Sequence, residues 1–99
     1  MLVVTQLIYV VEGREADFHA FEDAVLPLLA RHNGELLLRL RPDRSAWIAG
    51  SLEAPYEVHV VRFGCTEDLE RYSADEDRRR VLHLKQASVR ETFVATANA

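Results

Sequence analysis

The sequence predicts an α+β protein of the ferredoxin-like class, a βαββαβ chain whose four-stranded antiparallel sheet carries two helices on one face. Three observations predict it. Apolar runs of strand character fall at 2–11, 35–41, 56–63 and 89–96, and helical stripes lie between the first two and between the last two. The four glycines, Gly13, Gly34, Gly50 and Gly64, stand at element boundaries, where turns need them. The 99 residues make one domain, 1–99. A chain of this size buries only about 60–70% of its unfolded surface, so pairing with a second copy would add useful stability.

The first strand, Leu2 to Val11, is dense in Val, Leu, Ile and Tyr. Alternation puts Val3, Thr5, Leu7, Tyr9 and Val11 on one face and Leu2, Val4, Gln6, Ile8 and Val10 on the other. Both faces are apolar, whereas a sheet with one wet face alternates cleanly. Two helices cover one face, so a second subunit is expected on the other.

Residues 15–32 place Phe18, Phe21, Val25, Leu28, Leu29 and His32 at helical spacing, with Asn33-Gly34 as a left-handed stop. Pro27 lacks an N–H, which predicts a bend near the carbonyl of Asp23. His32 reads as a half-buried end residue meeting the last carbonyls rather than a ligand. In the second strand, Glu35 to Arg41, Leu36, Leu38 and Leu40 share one face while Leu37, Arg39 and Arg41 share the other. Residues 43–54 suggest a long hairpin connection or an extended β arm. Trp47 on that connection fits a subunit interface, a pocket wall or a local intrachain contact.

The third strand, Tyr56 to Phe63, has faces Tyr56, Val58, Val60, Arg62 and Glu57, His59, Val61, Phe63. Phe63 is expected beneath the second helix. Thr66 is the expected N-cap, followed by Glu67 and Asp68 in the first turn and by Leu69 and Tyr72 facing inward. Ser73-Ala74-Asp75 interrupts the helix, which resumes from Arg78 with Val81, Leu82 and Leu84 as anchors before the last strand, Val89 to Thr96.

Composition and motifs exclude several functions. A net charge of −4 disfavours nucleic acid and acidic partners, and the basic run Arg78-Arg79-Arg80 follows Asp75-Glu76-Asp77, as on a solvated helix face. The apolar start stops at Glu12, too short for a membrane span, and no targeting segment is evident. The single cysteine, Cys65, fits a reducing compartment, so a cytoplasmic protein is expected. At a helix start exposed amides can lower a thiol pKa, but a buried or incidental cysteine is expected rather than a nucleophile. No glycine-rich phosphate loop is present. His19, His32, His59 and His83 are scattered without metal-ligand spacing, so neither a metal nor a cofactor is expected.

Polar residues on apolar strands are the remaining candidates. Arg39 must find a carboxylate, a ligand anion or water, and an intersubunit ion pair with Glu57 is one way to satisfy it. His59, between Val58 and Val60, is either a general base, with Glu57 and Tyr9 as neighbours, or a hydrogen-bonded core histidine.

The stretches GREADFHAFEDAVLPLLARHNGELLLR, EVHVVRF and LERYSADEDRR resemble the small dimeric α+β barrel proteins grouped as domain of unknown function 1330, within the dimeric α/β-barrel superfamily. The resemblance covers nearly the whole chain. Its most specific parts are Pro27-Leu28-Leu29, Asn33-Gly34, Arg39 and the segment from Phe63 to Asp75. There the chain departs from the family's pattern: Arg62 replaces an acid, Gly64-Cys65 replaces Pro-Ser, and Ala74-Asp75 falls near the usual Ser-Pro. The resemblance implies a homodimer whose two sheets pack face to face into a dimeric α/β barrel. Its superfamily includes cofactor-independent monooxygenases, muconolactone isomerases, and aldoxime-dehydratase-like and haem-binding proteins.

The resulting expectation is a homodimer with a small pocket between helices and sheet for an organic carbonyl or carboxylate compound. In it Arg39 orients the ligand, His59 transfers a proton, and Tyr9, Trp47 and Tyr72 form the wall. Cofactor-free proton transfer or oxygenation is the chemistry that fits. The alternative is a non-catalytic, ligand-sensing or structural homodimer.

Overall fold

All four strands form, with the helices on one side of the sheet, in a computed structural model that describes residues 1–99. The order along the chain is β1 (Leu2–Val10), α1 (Glu15–Val25), a 3-10 helix (Leu26–His32), β2 (Gly34–Leu40), a 3-10 turn (Arg44–Ala46), β3 (Glu57–Phe63), α2 (Thr66–Ser73), α3 (Glu76–Arg80), α4 (Leu82–Ser88) and β4 (Val89–Asn98). Across the sheet the order is β2-β3-β1-β4, with every neighbouring pair antiparallel. This is the ferredoxin-like fold. No helix is long and apolar enough to cross a membrane.

The helix-facing side of the sheet carries Leu2, Val4, Val61 and Phe63, which are buried against Leu29, with Leu26, Leu36, Leu69 and Tyr72 around them. Phe21, Val25 and Leu28 form a second cluster against Tyr72, Val81, Leu82 and Leu84. Each such side chain, fully buried, contributes about 1.5–3 kcal/mol. Phe63 does lie under α2, its ring 5.7 Å from that of Tyr72.

Pro27 does more than bend the first helix. The α-helix ends at Val25, and a 3-10 segment continues to His32. Tighter winding copes with the missing donor, because it abandons the bond from residue 27 to the carbonyl of Asp23. Asn33, at φ 55°, supplies the left-handed stop. Gly34 is needed for closeness instead: a Cβ there would sit 2.9 Å from the Phe63 ring and 3.0 Å from the Leu29 carbonyl oxygen.

The simple alternation expected for β2 fails at a bulge. Leu36 pairs with Val61, but Leu38 pairs with Val60 and Arg39 with His59. The extra residue reverses the facing of the rest of the strand. Leu36 therefore shares the helix side with Arg39, while Leu38 and Leu40 turn to the opposite, open side. That open side also holds Leu7, Val58, Val60 and Phe93, opposite one another in the register. Leu38, Leu40 and Phe93 are exposed there.

Three further expectations are corrected. Residues 43–54 form no β arm. Asp43 accepts the Ser45 N–H at 3.0 Å to cap a single 3-10 turn, and the Trp47 indole donates to the Leu52 carbonyl at 2.9 Å within the same loop. Thr66 is the first helical residue and not the cap, because extended Cys65 precedes it and offers its carbonyl to the Asp68 N–H. His32 meets the Asp75 carboxylate at 2.7 Å rather than the last carbonyls. Asp75 also caps α3 by accepting the Asp77 N–H at 2.8 Å.

Gly34→Ala should lower the urea midpoint by the equivalent of roughly 1–3 kcal/mol, since neither a ring nor a backbone carbonyl can give way freely. An unchanged midpoint would show that β2 does not approach Phe63 and Leu29 so closely.

Candidate functional site

A buried carboxylate organises one end of the helix-facing side. Strand alternation directs Glu57 and His59 to that side, two residues apart, and the bulge in β2 sets Arg39 opposite His59. Glu57 is 1% exposed. Arg39 donates from Nε to Oε1 at 2.8 Å and from Nη2 to Oε2 at 3.3 Å. Arg41 donates from Nε to Oε2 at 2.9 Å and also from Nη2 to the same oxygen. His59 Nε2 lies 2.8 Å from Oε1. Burial pushes the Glu57 carboxyl up, but Arg39, His59 and Arg41 outweigh it and hold the pKa at about 2. An ionised carboxylate only accepts, so Nε2 of His59 carries the hydrogen and Nδ1 presents a lone pair. Burial holds the His59 pKa below its ordinary value against the pull of Glu57, which keeps the imidazole neutral at neutral pH.

Beside this cluster, between sheet and helices, lies a cavity of about 160 Å³. Its walls are mostly apolar, with Ile8, Phe18, Phe21 and Val61 among them; Glu22, His59, Tyr72, Arg78 and Lys85 supply polar groups. An engineered cavity of about 150 Å³ holds benzene, so a single six-membered ring is the scale of occupant. Glu22 comes from α1, one turn beyond Phe18 and therefore on the inward face. Its Oε2 is 3.9 Å from His59 Nδ1, and the residue is 7% exposed. Burial raises its pKa to about 7, with Arg39 pulling the other way. A carboxyl that is half protonated near neutrality, next to a neutral imidazole with an open lone pair, is equipped to exchange protons.

The expected pocket is divided in two. Tyr72 and His59 line the helix–sheet cavity. Tyr9 and Trp47 instead line a second, open cavity of about 790 Å³ at the loop end of the sheet, with Arg41, Arg44, Tyr56 and Arg90. The Tyr9 hydroxyl donates to the Glu53 carbonyl at 2.9 Å, and its ring meets Phe93 edge-on, so it is not a neighbour of His59. Arg39 lines neither cavity, because Glu57 on its own chain engages it. Burial pushes the Tyr72 hydroxyl up to about 12. The Cys65 thiol is exposed. The Asp68 amide favours its thiolate, yet contacts with the Asp68 and Glu67 carboxylates outweigh that and raise the pKa, so the helix start does not activate the thiol.

Glu22, Arg78 and Lys85 escaped sequence reasoning, though each left a signal. Glu22 is a carboxylate inside an apolar helical stripe. Lys85 stands three and four residues after Leu82 and Val81, on their face. Arg78 was hidden in a charge run that reads as solvated.

No protein-family model and no curated protein matches the chain. Solved structures do. One is a protein of unknown function from Rhodopseudomonas palustris, with TM-score 0.82 and 12% identity over 99% of this chain and 81% of that one. A second is a NIPSNAP domain protein from Burkholderia xenovorans, with TM-score 0.71 and 13% identity over 100% and 94%. A third is an antibiotic biosynthesis monooxygenase, with TM-score 0.68 and 16% identity over 100% and 98%. At these identities the likeness establishes the fold alone, the ferredoxin-like α+β fold of one four-stranded antiparallel sheet with helices on one face, and the resemblance seen in the sequence holds at that level.

Because the Glu57 pKa is depressed, its contribution to stability is full above 4.5 and is lost as the pH falls toward 2. Glu57→Gln should cost roughly 2–4 kcal/mol at neutral pH by leaving Arg39 poorly compensated. It should also flatten the acid limb of stability in urea melts between those pH values. Superimposable acid limbs for the two proteins would contradict the arrangement.

Proposed function

We propose that the chain is a homodimeric α/β-barrel protein that moves a proton on a small organic carbonyl or carboxylate compound in the helix–sheet cavity, without a cofactor. The observation that carries this reading is the buried Glu22 carboxyl, with a pKa of about 7, facing a cavity beside neutral His59. Ionised Glu22 takes a proton from a carbon next to the carbonyl, and the C–H electron pair moves onto the carbonyl oxygen as an enolate. Where a C=C bond of the ligand is conjugated with this enolate, protonated Glu22 returns the proton to the far carbon of the conjugated system, so the double bond shifts and the isomerisation balances with no external oxidant or reductant. His59 Nδ1 accepts a hydrogen bond from a ligand hydroxyl or from protonated Glu22. Arg39 is a positioning residue that acts through Glu57.

Oxygenation is the second reading. The same enolate carbon can add dioxygen, which serves as the oxidant, and take the proton back from Glu22 as a hydroperoxide; cleavage of the O–O bond with loss of water leaves a new carbonyl, and the likeness to a protein described as an antibiotic biosynthesis monooxygenase favours this reading.

The dimer is supported by the open sheet face, where Leu38, Leu40 and Phe93 are exposed next to Leu7, Val58 and Val60. An apolar face of this kind is ordinarily buried against another. The net charge of −4 and the single cysteine fit a cytoplasmic protein without a nucleic-acid partner.

Sedimentation at micromolar concentration should give twice the 11.3 kDa chain mass, and Leu38→Asp should shift it toward one. A wild-type monomer would overturn the barrel. For the chemistry, small ketones and keto acids in D2O should gain deuterium beside the carbonyl at a rate that rises with pH through about 7. Glu22→Gln should slow this by roughly 10²–10⁴-fold. Equal exchange in the variant, or none in the wild type, would favour the non-catalytic homodimer.

A further inference from the structure

Nine of the twelve lysines and arginines lie within 4 Å of a carboxylate. Of the three that do not, Arg44 is exposed on the 43–54 loop. The other two, Arg78 of α3 and Lys85 of α4, line the same helix–sheet cavity. Arg78 is held between rings, its guanidinium carbon 5.6 Å from the Phe21 centroid and 5.2 Å from that of Tyr72. Its Nε is buried without a hydrogen-bond partner. Lys85 is half-buried. Withdrawing cations from water without a counterion is costly, and elsewhere this chain avoids it. Glu22 faces the two cations but lies within 4 Å of neither, and a half-protonated carboxyl does not neutralise two charges. In a chain of net charge −4, this cavity wall is positive.

From these two unpaired cations on one wall we propose that the cavity takes a small organic anion, its carboxylate held by Arg78 and Lys85 and its body facing Glu22 and His59. The inference rests on the cavity being a ligand site and adds the charge class of the ligand. Guanidinium and ammonium groups both donate charge-assisted hydrogen bonds to a carboxylate, and the orphaned Arg78 Nε has a free hydrogen to give. The cavity volume restricts the anion to about one ring or a short chain.

Benzoate and its neutral isostere benzamide are suitable probes, titrated into isotopically labelled protein at neutral pH and followed by amide NMR shifts. Benzoate should bind at least about tenfold more tightly, the worth of one charge-assisted bond, and move the signals of Glu22 and His59. Lys85→Gln should weaken benzoate by about the same factor and leave benzamide unchanged, and Lys85→Met should do likewise if Gln disturbs α4. Equal binding of the two probes, with Lys85→Gln silent, overturns the charge assignment while the cavity stands as a ligand site. No binding of either overturns both. Benzoate shifts confined to the 43–54 loop would place the anion at Arg44 and overturn the proposal.

Discussion

Glu57 is a charge kept where water scarcely reaches, and the site's layout is set by keeping it satisfied. Two guanidinium groups and an imidazole converge on its two oxygens. That convergence needs a particular backbone. Glu57 and His59 must share a face, which strand alternation supplies, and Arg39 must reach across from β2, which the bulge supplies. Without the bulge Arg39 would point to the open side, into the face proposed for the second subunit. The carboxylate also decides the state of His59, because an acceptor at Nε2 leaves Nδ1 unprotonated toward Glu22. Glu22, lacking any such cluster of donors, is left to burial, and its pKa moves the opposite way. Two carboxylates on one side of one sheet thus take contrasting roles, one fixed as an anion and the other poised to gain or lose a proton.

The helical layer is broken where the cavity needs it to be. Pro27 ends α1 soon after Glu22, and the 3-10 segment lets Leu28 and Leu29 reach different clusters. On the other side α2, α3 and α4 replace one long helix, with Asp75 capping the middle piece. These breaks bring Arg78 over Phe21 and Tyr72 and set Lys85 on the same cavity wall. Segmentation is therefore part of how the cavity acquires its polar lining.

Much of the fold is legible in the sequence because apolar periodicity reports directly on burial. The βαββαβ order, Asn33 as the stop, Phe63 under the second helical layer and an apolar second face are all read from it. The features that escape it depend on single residues that periodicity averages over. The bulge at Leu37 leaves no mark in a run of leucines, so simple alternation misplaces Leu38 relative to Leu36. The site is half legible. Arg39, His59 and Glu57 stand out as polar residues on apolar strands, and Glu57 is the partner expected for Arg39, although from the same chain rather than another subunit. Glu22 and Lys85 are polar residues on helices, where charge is ordinary, and only their angular position marks them as inward. Tyr9 and Trp47 are aromatic enough to suggest a pocket wall, but a strand's periodicity does not say which end of the sheet their cavity occupies.

The proposed proton transfer in the cavity turns on Glu22 being held near neutrality beside a neutral His59. Its direct measure is a pH titration of the glutamate side-chain carboxyl carbons by NMR in uniformly labelled protein, with the histidine ring nitrogens followed alongside. The prediction is one carboxyl, lost in Glu22→Gln, titrating near 7, with His59 showing the neutral Nε2–H tautomer. A Glu22 carboxyl titrating near 4.5, or a His59 ring protonated at neutral pH, would contradict it.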